Sequence, residues 1–257
     1  MPFKYGKKPP KRMMSVPALS DFLARATEWP AVKPRGWEYG KITLEMLGND
    51  DYGDCGEAAA MHYIQTSTAH TSNPLHGTLQ QTLDLYSAVA GFKASDPNSD
   101  QGTCLVDLLS YWRDHGIVCT DAKGNTVTHK ILGWANLDLS SIAQMRYACD
   151  VFGGLYVGMN FPAYLGDNLT NWTWDPAQGS NIAGGHCVNI EGQGGAGVHL
   201  QSWGANIAAT WELLLNTLDE GYVVVSEAWL TSPGAKSPSG LDVNGLLAAM
   251  KAIQAAS

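Results

Sequence analysis

Two stretches, far apart in the chain, hold residues that could do chemistry together. The first is Asn49-Asp50-Asp51-Tyr52-Gly53-Asp54-Cys55-Gly56-Glu57, which sets a thiol directly after a glycine-containing turn and at the start of a helical pattern. Unpaired N–H groups and the macrodipole at a helix N-terminus favour thiolate over thiol, and a thiolate is a nucleophile near neutral pH. The second is Gly184-Gly185-His186-Cys187-Val188-Asn189-Ile190, where a histidine opens an apolar strand after two glycines. An imidazole at a strand edge can take a proton from a thiol on an opposed helix. A lone cysteine is ordinarily a small buried hydrophobe, so Cys55 draws its interest from this distant partner.

A third stretch, Val198-His199-Leu200-Gln201-Ser202-Trp203-Gly204, follows the histidine strand across the glycine-rich segment 192–197. Two strands around such a turn make an antiparallel hairpin. The hairpin is expected to bring a polar side chain, Gln201 or its neighbour, against the imidazole, and Gln201 is preferred to Asn189 because His186 and Asn189 point to opposite faces of one strand. Trp203 is then placed to shield the pair from water. Cysteine, histidine and a side-chain amide in this order form the thiol counterpart of the serine triad.

These residues resemble the papain-like cysteine peptidases, including their bacterial and phage relatives. The resemblance spans about residues 48–229 and rests on GDCGEAAAMH, GGHCVNIEG and QSWG in the family's order. It implies an α+β papain-like fold, a helical half whose first helix carries the nucleophile packed on an antiparallel sheet half. By the same likeness Cys55 is the nucleophile, His186 the general base and then acid, and Gln201 stands where the family has an orienting Asn. Asn49 stands where the family has an oxyanion-hole Gln, and the backbone N–H of Cys55 is the second donor. Asn49 is one methylene shorter than that Gln and Gln201 one longer than that Asn. Tyr52 occupies a position where secreted relatives have a disulfide cysteine. The implied activity is hydrolysis of peptide or amide bonds in a peptide or protein substrate, with no metal or organic cofactor. A second reading stays open: a papain-fold structural or binding protein, weakly active or inactive, such as a component of a phage particle.

The elements that must position these residues follow from periodicity. Helices are expected at 55–68, 78–90, 105–115 and 140–150, and strands at 117–119, 127–132, 154–159, 186–191, 198–203 and 222–226. The division is an extended basic arm at 1–47 with a short helix at 20–27, a papain-like domain at 48–230, and a linker with a C-terminal helix at 231–257. The apolar stripe of that last helix and the basic arm are candidate surfaces for protein assembly.

Composition narrows the classes further. The chain has 257 residues, 45% of them hydrophobic, which excludes wholesale disorder. No apolar run approaches the ~20 residues that cross a bilayer, and the N-terminus lacks the apolar core of a signal peptide. A cytoplasmic location, or one inside a phage particle, is therefore expected, with no membrane partner. Lys4, Lys7, Lys8, Lys11 and Arg12 supply five of the 16 basic residues, leaving 11 against 24 acidic groups in the rest of the chain. An acidic body disfavours nucleic acid. Asp50, Asp51, Asp54 and Glu57 are expected to give a cleft at Cys55 a negative potential that draws basic peptides. Five cysteines with no C-x-x-C pair suggest reduced thiols. The dinucleotide-like Gly192-x-Gly194-x-x-Gly197 lies between strands, where a hairpin turn explains it. His62 and His70 lack a third ligand at metal spacing.

Overall fold

The computed structural model describes residues 3–11, 16–21, 43–69, 73–194 and 196–229. The linker and C-terminal helix expected at 231–257 lie outside these residues, as does most of the short helix expected at 20–27.

Helix α1 (Cys55–Thr68) is lined by Ala58, Ala59, Ala60, Met61, Tyr63 and Ile64, all buried, and runs through the centre of the molecule. It is followed by β1 (Leu75–His76), α2 (Leu79–Ala90), α3 (Leu105–Asp114), β2 (Ile117–Asp121), β3 (Thr126–His129) and β4 (Ile131–Asn136). Helix α4 (Ile142–Phe152), β5 (Leu155–Pro162), β6 (Asn171–Trp172), β7 (Ile182–Gln193), β8 (Gly197–Ser202), β9 (Ala205–Thr210), α5 (Trp211–Thr217) and β10 (Leu218–Ser226) complete the order. Thr78 caps α2 in a reciprocal box with Gln81, and Gly91 closes the helix in the left-handed region. Ser141 caps α4 and Gly153 ends it in the same way. Each cap contributes about 1 kcal/mol.

Strands β1–β2–β3 form a small sheet, and the other seven form a second in the order β4-β10-β5-β7-β8-β9-β6. The run expected as one strand at 127–132 is in fact two strands in different sheets, broken at Lys130. The large sheet is covered on both faces, which is why its strands read as continuous apolar runs. On one face Leu155, Val157, Met159, Val188, Ile190, Val223 and Val225 pack with α4 and α5 residues such as Phe152 and Leu214. On the other, Tyr156, Cys187, Tyr222 and Val224 pack with α1 and α3 residues such as Cys55, Tyr63 and Leu108. The period of two along β5, β7 and β10 thus divides one sheet between two cores. Polar ties lock α1 to the sheet half: Asn189 Nδ2 donates to Thr66 Oγ1 at 3.1 Å and Tyr63 Oη to the Phe152 carbonyl at 3.0 Å.

Candidate active site

Cys55 is the first residue of α1, and its thiol is fully buried where the helix meets β7. The backbone N–H groups of Gly6 and Cys187 both point at Sγ. Cys187 directly follows His186, so the β7 backbone next to the base lies against the thiol. Burial pushes the Cys55 thiol up to about 12 despite those two donors, with Glu57 and Asp54 adding to the rise. Burial also pushes His186 down to about 3. Both groups are neutral, and His186 Nδ1 makes no hydrogen bond among the described residues.

The imidazole is held on its other side. His186 Nε2 pairs with Ser202 Oγ at 2.7 Å, and the ring stacks on Trp203 with centroids 4.1 Å apart and planes 14° from parallel. Phe161, Trp172 and Tyr5 meet it edge-on. Trp203 adopts φ of +47°, in the left-handed region that a bulky residue avoids at a cost of about 1–3 kcal/mol. That turn carries the indole across the imidazole.

Gln201 does not orient the imidazole. It stands opposite Asn189 across the β7–β8 pair, on the face away from His186, and its buried amide lies beside Glu191. The cause is a β-bulge between Ile190 and Gly192 that leaves Glu191 as an extra residue. Next to the turn, Gln193 pairs with Val198 and Gly192 with His199, a register that continued unbroken would bring the odd-numbered Gln201 to the face of His186. The bulge exchanges the faces and delivers Ser202.

Asn49 is buried in the loop leading to α1, with Oδ1 unpaired among the described residues. The loop itself is tied down by Asp100, whose Oδ1 accepts from Gly53 N and Tyr86 Oη, both at 2.8 Å. Tyr86 Oη in turn accepts from Gly102 N at 2.7 Å. Of the acidic residues expected to charge the cleft, Asp50 and Asp51 are exposed, whereas Asp54 and Glu57 are fully buried. Burial raises Asp54 well above the usual carboxylate range and Glu57 to about 8. Burial thus disfavours the charge on both, against the negative potential expected of them.

Sequence reasoning did not anticipate what covers the thiol. Residues 3–11 cross the site as a segment with a single bridge, Lys7 to Thr103. Gly6 O accepts from Thr103 N at 2.7 Å, Lys7 N donates to Gly185 O at 3.0 Å, and Lys8 N donates to Thr103 O at 2.9 Å. The fit is close enough to require glycine on both sides: a Cβ on Gly6 would overlap the Gly53 carbonyl, and one on Gly102 or Gly185 would overlap the carbonyls of Gly6 and Lys7. Phe3 stacks on the far face of the site against Trp203 at 4.5 Å. Lys7 is buried on Asp219 and Glu220, and breaking such a pair from one side costs about 3–5 kcal/mol. The signal for this arm was the excess of glycine at 6, 53, 102 and 185, which reads in sequence as turns.

Solved structures share this arrangement of elements. Xylellain, a cysteine protease from Xylella fastidiosa, superposes with a TM-score of 0.65 at 15% identity, over 87% of this chain and 96% of its own. The Amb a 11 cysteine protease of ragweed pollen, in its proform, gives 0.57 at 15% identity, over 82% and 70%. Digestive procathepsin L 3 of Tenebrio molitor gives 0.55 at 14%, over 86% and 76%. The fold is papain-like. No family model matches the sequence, and no curated protein matches it significantly. A papain-like fold at such identities fixes the architecture and leaves the chemistry to the site residues.

Proposed function

We propose that the chain is a papain-like cysteine hydrolase of peptide or amide bonds, held closed by its own residues 3–11. The observation that carries this reading is the thiol of Cys55 at a helix N-terminus, held against the backbone N–H of Cys187, the residue that follows a histidine anchored by Ser202 and stacked on Trp203. With its proton on Nε2, His186 keeps a lone pair on Nδ1, and that nitrogen makes no hydrogen bond among the described residues. Departure of Gly6 opens the β7 edge to water and to the thiol. His186 Nδ1 then takes the Cys55 proton, and the thiolate adds to the substrate carbonyl carbon. Asn49 and the backbone N–H of Cys55 are the proposed donors to the oxyanion. The C–N bond breaks as His186 returns the proton to the leaving amine, and water hydrolyses the thioester.

A second reading, a non-catalytic papain-fold binding protein, is favoured by the complete burial of Cys55 and its lack of a hydrogen bond to His186. The test is a Gly6→Val variant, which keeps the chain whole but cannot seat the arm, assayed against a fluorogenic peptide pool with acyl-enzyme trapping at Cys55. Turnover that vanishes in Cys55→Ser and His186→Ala establishes the hydrolase. A folded Gly6→Val protein with an exposed thiol and no turnover establishes the binding protein.

A further inference from the structure

Lys7 enters the body with its side chain 1% exposed. Its Nζ donates to Asp219 Oδ2 at 2.9 Å, Glu220 Oε1 at 3.2 Å and the Lys8 carbonyl at 3.1 Å. Tyr222 Oη donates to the other Glu220 oxygen at 2.8 Å and fixes that carboxylate. The stem of Lys7 lies over Gly158, where a Cβ would overlap Lys7 Cδ and come within 2.8 Å of Glu220 Cγ. Gly158 therefore leaves a channel the width of an alkyl chain, and two carboxylates close its end.

Three features exceed what a clip for the arm requires. Asp219 Oδ1 is buried with no partner among the described residues, so the site has acceptor capacity that Lys7 leaves unused. A cavity of about 650 Å³, bordered by Asp219, Glu220, Tyr222, Leu137 and Leu139, continues from the channel. The pocket is also in register with the nucleophile: Lys7 N donates to Gly185 O, beside His186, while the N–H of the preceding Gly6 points at Cys55 Sγ.

We propose that Asp219, Glu220, Tyr222 and the channel over Gly158 form a specificity pocket for a lysine or arginine side chain of a peptide lying in the cleft in place of the arm. This rests on the hydrolase reading and names its substrate class, basic peptides. The cation is recognised by two carboxylates that it must neutralise to be buried, and a neutral alkyl chain of the same length leaves them buried and unpaired. An acidic side chain is repelled. Arginine, with five donors in a planar fork, can also reach the spare Asp219 oxygen.

The test uses the full chain carrying Lys7→Ala, which vacates the pocket, and reads the rate at which iodoacetamide alkylates Cys55, by peptide mapping. Alkylation is expected to be about tenfold or more faster than in the parent. Millimolar acetyl-Gly-Lys-amide or acetyl-Gly-Arg-amide is expected to slow it again by about fivefold, whereas the norleucine and glutamate counterparts do not. Adding Glu220→Gln, or Gly158→Ala to fill the channel, should erase that difference. Equal protection by norleucine, protection by none of the peptides, or a Cys55 no more reactive than in the parent would each overturn the pocket. If circular dichroism shows Lys7→Ala unfolded, Lys7→Met keeps the buried stem and is read in the same way. Peptide turnover, measured alongside, separates the two claims. Lysine-selective protection without turnover refutes the hydrolase and keeps the pocket, and turnover without selectivity does the reverse.

Discussion

Asn189 stands directly opposite Gln201 across the β7–β8 pair, and both amides leave the sheet on the face away from His186. The orientation of the imidazole is thereby assigned to Ser202, whose single short hydroxyl accepts from Nε2. In the arm-released Gly6→Val background, Ser202→Ala is expected to lower peptide turnover by about tenfold or more, because Nε2 loses its 2.7 Å partner inside an aromatic cage. Gln201→Ala should change turnover by less than about threefold, since it touches Glu191 rather than the base. Steady-state kinetics on both variants decide the matter, and the reverse order would refute the assignment.

The arm contacts predict a graded series of opening. Phe3→Ala removes one stacked ring from Trp203 and should raise Cys55 alkylation by about tenfold, the worth of roughly 1–1.5 kcal/mol of aromatic contact. Gly102→Ala acts more strongly, because the residue has φ of +73° and its Cβ would overlap the Gly6 carbonyl. Alkylation rates ranked Gly102→Ala above Phe3→Ala above parent are the expected result. Equal rates would mean that the arm does not limit access to the thiol.

The nucleophile helix was legible in the sequence because Gly53-Asp54-Cys55 is followed by an unbroken run of helix formers, and the helix begins and ends where that run does. The β7–β8 hairpin was legible from its glycines. Its register was not, since the extra residue at Glu191 has no local signature and a single bulge exchanges every face beyond it. Strand β9 (ANIAAT) and helix α5 (WELLLNT) were missed because one lacks strong strand formers and the other is under two turns long. The arm was read as an extended basic segment, without its place over the thiol. Its order comes from partners nearly 50 to more than 200 residues away, including Gly53, Thr103, Gly185 and Glu220, and no pattern within residues 3–11 encodes them.

Lys7 gives a prediction about stability that does not depend on activity. Burial opposes its charge, but the hydrogen bond and charge of Asp219 and the charge of Glu220 more than offset this and leave the ammonium raised. Glu220→Gln keeps the size of the side chain and its contact with Tyr222 but removes one of the two negative charges. Unfolding in urea should show a loss of about 1–3 kcal/mol. Combining it with Lys7→Met should recover part of that loss, as a double-mutant cycle would register. Strict additivity of the two changes would deny the pair.

Glu57 makes the protein less stable as pH rises. Its carboxyl is fully buried two residues after the nucleophile, receives Thr103 Oγ1 at 2.6 Å on Oε1, and has no partner for Oε2 among the described residues. Burial lifts it from 4.5 to about 8, so between those values the folded chain binds more protons here than the unfolded one. Its contribution is then fully present below pH 4.5 and is lost as pH climbs through 8, by a few kcal/mol at most. The buried histidines act in the opposite sense. Burial pushes His62 and His129 down to about 4 and His186 to about 3, so they make stability rise with pH up to about 6.5. Glu57→Gln separates the two effects. Glutamine still accepts from Thr103, and any cost of its unpaired amide is the same at every pH. Urea unfolding of parent and variant at pH 5 and pH 8 gives a double difference from which the histidines cancel. The parent should lose about 2 kcal/mol or more relative to the variant between the two pH values. A double difference indistinguishable from zero would mean that Glu57 is ionised in the folded protein, with Lys8 or water reaching it.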